Sequence, residues 1–97
     1  MEDLILEAIA TKRLIAFHYR NFPRIAEPHV YGITNGAWQM LGYQTGGQST
    51  KGRLPDWRRF DLNYMSQLVL LAETFPGRRL IPSGRHSSWD SRVAIVD

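Results

Sequence analysis

Residues 28 to 43 read Pro-His-Val-Tyr-Gly-Ile-Thr-Asn-Gly-Ala-Trp-Gln-Met-Leu-Gly-Tyr, with Asn35-Gly36 between two runs of strand-forming residues. A type I′ turn needs two consecutive residues that tolerate positive φ, and Asn-Gly supplies both, so the stretch is a β-hairpin. With Asn35 and Gly36 as the loop, Thr34 pairs with Ala37, Ile33 with Trp38, Tyr31 with Met40 and His29 with Gly42. One face then carries Tyr31, Ile33, Trp38 and Met40, and the other Val30, Thr34, Gln39, Leu41 and Tyr43. Both faces are partly apolar, so the hairpin is expected to be buried on one side and partly covered on the other.

The chain around it has 97 residues, enough for one modest core. It has no cysteine, which excludes disulfides and a thiolate zinc site and carries no sign of an oxidising compartment. The first residues, Met-Glu-Asp-Leu-Ile-Leu-Glu, are acidic where a secretory signal is basic, and no apolar run reaches membrane-spanning length. The expectation is a cytoplasmic protein without a membrane partner.

Before the hairpin, Leu4, Ile5, Ala8 and Ile9 form one apolar helical stripe, with Asp3 as the expected cap. So short a helix must lie against a sheet. Leu14 to Tyr19 reads as a strand, Arg20 to Pro23 as a turn, and Arg24 to Glu27 as an extended run that bends at Pro28 into the Asn-Gly hairpin. After it, Gln44 to Lys51 is polar and glycine-containing and reads as a mobile loop. Trp57 to Leu62 reads as a further strand, with a turn at Asn63-Tyr64. Met65 to Ala72 fits helix or strand equally by periodicity. Residues 1–78 are read as the domain and 79–97 as a tail, in which residues 93–96 read as a returning edge strand or a partner-binding segment.

Several chemistries can be set aside. Ser49-Thr50-Lys51-Gly52 lacks the Gly-Lys-Ser/Thr order of a phosphate-binding loop. His86, Ser87, Ser88 and Asp90 stand in one loop, whereas a hydrolase triad converges from separate elements. His18, His29 and His86 have no metal-ligand spacing, and Glu27, Asp56 and Asp61 lie among arginines as their ion-pair partners. No cofactor or metal is expected, and the expected role is non-enzymatic.

Charge points elsewhere. From Lys12 to Phe60 there are eight basic residues against two acidic ones, and ten of the twelve basic residues in the chain are Arg, whose planar fork suits phosphate and carboxylate. Aromatic side chains interleaved with Arg can stack a base while holding its phosphate. Tyr19, Arg24, His29, Arg58 and Arg59 are the candidate ligand-binding residues. Trp38 and Phe60 are expected in the core, because a small domain needs large side chains to fill it.

The order of these segments resembles the WYL domain, a bacterial regulatory module. Phe17-His18-Tyr19 ends the first strand. Arg24-Ile25-Ala26-Glu27-Pro28 is similar to the family's Arg-x-Val-x-Pro, and Gly36-Ala37-Trp38-Gln39-Met40-Leu41-Gly42-Tyr43 resembles its glycine turn and name motif, with Gln39 and Met40 in place of Tyr and Leu. Arg58-Arg59-Phe60-Asp61-Leu62-Asn63-Tyr64-Met65 is similar to its Arg-rich segment, with Asp61 and Tyr64 at two Arg positions. Phe75 falls at the closing Phe.

The resemblance implies a mainly β fold, a small SH3-like or Sm-like barrel of five bent strands preceded by a short N-terminal helix. It also implies a non-catalytic sensing module in bacterial transcription or phage-defence regulation, whose ligand is a nucleotide or short single-stranded nucleic acid. The helix-turn-helix that usually precedes a WYL domain is not among these residues, and the expected protein partners are a second copy of the chain or a separately encoded DNA-binding protein. The alternative is a protein-interaction or homo-oligomerisation module acting through a barrel edge or residues 93–96.

Overall fold

A computed structural model describes residues 1–49, 52–79 and 88–97. The chain opens with helix α1, Glu2–Thr11. Its N-cap is Met1, whose carbonyl accepts from the Leu4 and Ile5 amides, so the helix starts earlier than an Asp3 cap would allow. Glu2 and Asp3 lie instead in the first turn, where the helix dipole favours carboxylates. Lys12 ends the helix in the left-handed region, and Ile5, Ala8 and Ile9 are buried against the sheet.

Among the described residues six antiparallel strands come after it: β1 (Arg13–Tyr19), β2 (Phe22–Thr34), β3 (Ala37–Gly47), β4 (Asp56–Asp61), β5 (Met65–Thr74) and β6 (Ser91–Ile95). A single 3₁₀ turn, Leu62–Tyr64, joins β4 to β5. The spatial order is β4-β3-β2-β1-β5, with β6 paired to β2. The fold is mainly β after one short helix, with a curled, barrel-like sheet. Among the described residues the five expected strands are joined by β6 from the tail, and no ladder pairs β4 with β5.

The long strand β2 organises the sheet. Its first part, Phe22 to Ala26, pairs with β1, its later part, Val30 to Ile33, pairs with β6 on the same side, and β3 runs along the other. The Asn-Gly hairpin has the expected register over Thr34↔Ala37, Ile33↔Trp38 and Tyr31↔Met40, with Asn35 and Gly36 at positive φ. The register then shifts: Pro28, not His29, pairs with Gly42, and His29 is the extra residue of a β-bulge. Pro28 has no N–H to give the ladder, so the bend falls beside it.

The principal core takes Ile5, Ala8 and Ile9 from the helix, Ile15 and Phe17 from β1, Ala26 and Tyr31 from β2, and Met40, Phe60, Met65, Phe75 and Val96. Phe60 is core as expected, at 1% exposure, but Trp38 is 39% exposed and stacks on Tyr31 near the tip of the hairpin, with ring centroids 5.0 Å apart. A second cluster, Val30, Leu41 and Trp57 with Tyr43 and Trp89, lies on the opposite face of the sheet. Residues 65–72 are strand, because β1 offers an unpaired edge and long-range pairing decides where periodicity cannot. Residues 93–96 join the same sheet and core: Tyr31 pairs with Ala94, Val30 with Ile95, and Val96 is buried. Among the described residues no helix is long and apolar enough to cross a membrane.

Candidate anion-binding cleft

Side chains at one end of the sheet line a cleft of about 410 Å³: Tyr19, Arg20, Phe22, Arg24, Arg58, Arg59 and Phe60. Alternation along the strands brings them together. Phe17 pairs with Arg24 and Tyr19 with Phe22, so Tyr19 and Arg24 stand on the face that buries Phe17 and Ala26. Arg58 is two residues before buried Phe60 on β4 and shares its face. The floor is aromatic, with the Tyr19 and Phe60 rings 4.9 Å apart and edge-on, and the Phe17 and Phe60 rings 5.0 Å apart.

Arg24 is the residue that sets the electrostatics. It is 7% exposed, its Nη1 donates to Gln44 Oε1 at 3.2 Å, and its Nε is buried without a hydrogen-bond partner. Among the described residues no carboxylate pairs with it. Burial lowers its pKa, the nearby Arg58 charge lowers it further, and Tyr19 acts in the opposite sense. The Arg24 guanidinium also lies over the Tyr19 ring, 5.7 Å from its centroid. Arg58 is held at the rim by Asp56 and by Ser49 Oγ at 2.9 Å. On the other side Arg20 lies over the Tyr64 ring at 4.0 Å, and Phe22 is 45% exposed.

Four of the five residues expected from sequence, Tyr19, Arg24, Arg58 and Arg59, line this cleft. Arg59 contributes least, because its odd position on β4 turns the guanidinium to the other face. There it donates to Thr34 Oγ1 at 2.9 Å and Gln39 Oε1 at 3.3 Å and stacks over Trp89 at 3.9 Å. Burial lowers its pKa. His29 does not join the cleft. The bulge directs its ring between Trp57 and Phe75, where it is 2% exposed and bonded through Nε2 to Glu27 Oε1 at 3.0 Å.

Arg20, Phe22 and Gln44 also belong to the site, and charge and aromatic spacing do not single them out. The turn after β1 has only two residues, Arg20 and Asn21, both at positive φ, so Phe22 and Pro23 belong to β2. Asn21 was the available signal for that shorter loop. The expected loop from Gln44 is strand as far as Gly47, and Gln44 is fully buried. Its Nε2 donates to the Gly46 and Gln48 carbonyls at 3.0 and 2.9 Å while its Oε1 holds Arg24, so one amide fixes both the cation and the wall beside it.

The acidic residues partner as expected in two cases of three. Asp56 pairs with Arg58 and Glu27 with Arg79, whereas Asp61 accepts from the Asn63 amide at the 3₁₀ turn. Lys51, His86 and Ser87 lie outside the described residues. Among the described residues no group of His, Cys, Asp and Glu could hold a metal ion. No protein-family model, curated protein or solved structure matches the chain.

Proposed function

We propose that the protein is a non-catalytic binding module whose cleft takes an anionic ligand, a nucleotide or a short single-stranded nucleic acid. The observation that carries this reading is Arg24: a cation that is nine-tenths buried, has no carboxylate partner among the described residues, keeps an unused Nε donor and sits in an open cleft. A buried charge of this kind is costly unless compensated, and a phosphate oxygen supplies both the charge and the acceptor. Arg58 and Arg20 place further positive charge at the rim, and Phe22 and Tyr19 offer ring faces on which a base can stack. The WYL resemblance supports the same ligand class and gives the biological setting of the proposal, a sensing role in bacterial transcription or phage-defence regulation.

The test is fluorescence anisotropy with short labelled single-stranded oligonucleotides at low salt, beside a thermal-shift screen of nucleotides. Saturable binding that weakens as salt rises is expected. No binding in either assay contradicts the proposal.

A further inference from the structure

A second cavity lies on the other side of the bend in β2. It measures about 190 Å³ and is lined by His29, Val30, Arg78, Arg92, Ile95 and Val96. None of these residues lines the first cleft, so a ligand here is independent of the function proposed for that cleft.

The cavity is built by the bulge at His29 and by the close approach of β6. Gly32 lets β6 in: a Cβ on it would stand 2.2 Å from the Ser91 carbonyl oxygen. The Val96 amide donates to the His29 carbonyl at 2.9 Å, which fastens the end of the strand to the bulge. One wall is hydrocarbon, from Val30, Ile95 and Val96.

Polar residues complete the lining: His29, Arg78 and Arg92. His29 Nε2 is bonded to the Glu27 carboxylate, which fixes the ring at the edge of the cavity. Glu27 is itself held by Arg79, whose Nε donates to Oε1 at 2.8 Å. Its charge is therefore already matched and does not oppose an incoming anion. Arg78 is anchored to the Val96 carbonyl through Nε and Nη2. Among the described residues the Arg92 side chain makes no hydrogen bond or ion pair.

We propose that this cavity binds a small organic carboxylate with an apolar body. Arg92 takes the carboxylate as a forked donor, Arg78 adds charge beside it, and the hydrocarbon body lies on Val30, Ile95 and Val96. The volume suits a ligand of benzoate to octanoate size and is too small for a nucleotide. A single polar end and a largely apolar wall select for amphipathic monoanions over polyanions.

Isothermal titration calorimetry with sodium octanoate and sodium benzoate, with octanol as the neutral control, tests this on the full chain. Saturable binding of at least one carboxylate is expected, with octanol much weaker. Arg92→Met should raise the dissociation constant about tenfold or more, and Ile95→Glu, a change at an exposed position, should do the same by repulsion. Arg24→Met should leave it unchanged. The proposal is overturned if neither carboxylate binds, if octanol binds as well as octanoate, or if Arg92→Met and Ile95→Glu leave the dissociation constant unchanged.

Discussion

Gln44 holds Arg24 by a single hydrogen bond, Oε1 to Nη1 at 3.2 Å, and leaves the Arg24 Nε unpartnered beneath an open cleft. A neutral amide orients the guanidinium without neutralising it. A carboxylate at the same position would have formed a closed internal ion pair.

Gln44→Glu should therefore switch the cleft off. The new carboxylate pairs with Arg24, and anionic ligands lose at least about tenfold in affinity. The same change turns two donors to the Gly46 and Gln48 carbonyls into repulsive acceptors, so the variant should also lose about 1–3 kcal/mol of stability. Anisotropy and chemical denaturation read the two effects separately. Unchanged oligonucleotide affinity would show that Arg24 does not contact the ligand.

Glu27 should make stability depend on acid pH. Burial pushes its pKa up, but the hydrogen bonds and the charge interactions with His29 and Arg79 together outweigh burial and hold it below the ordinary value. A depressed carboxyl pKa contributes stability that is complete above the unfolded value, near pH 4.3, and is lost as pH falls through the folded value. Urea midpoints should be flat with respect to this group above about pH 5 and fall below about pH 4. Glu27→Gln should cost on the order of 2–3 kcal/mol at pH 7, the low end for a broken buried pair because Arg79 is partly open to solvent, and should flatten the acid limb. An acid limb as steep as that of the unaltered protein would assign it to other carboxyls.

Gly32→Ala should lift β6. The added Cβ meets the Ser91 carbonyl oxygen at 2.2 Å and the Arg92 Cα at 3.0 Å, both backbone atoms, so the strand must move. A loss of about 1–3 kcal/mol is expected, with faster amide exchange across Ser91–Ile95 and little change in α1. Unaltered exchange in β6 would contradict the close approach.

Much of this architecture was legible locally, and what was not has physical causes. Asn35-Gly36 sets the hairpin and three of its pairs, because a two-residue I′ loop permits one register. The fourth pair fails at His29, where Pro28 cannot donate and the strand takes up an extra residue, carrying His29 out of the cleft and into the second cavity. Period-two alternation brings Tyr19, Arg24 and Arg58 to one face, and it also turns Arg59 away, which charge counting alone does not register. Trp38 is large and apolar, yet near the hairpin tip it stacks on the Tyr31 ring and stays 39% exposed. Gln44 reads as loop because its neighbours are polar, and its role emerges only with Arg24 placed across the β2–β3 ladder.

Whether Arg24 holds a phosphate is read from the salt dependence of oligonucleotide binding by the unaltered protein and by Arg24→Met, which keeps an unbranched apolar stem while removing the charge. If Arg24 holds a phosphate, the variant binds at least about tenfold more weakly at low salt, and the slope of log affinity against log salt falls by roughly one. Superimposable binding curves for the two proteins across the salt series would contradict the account.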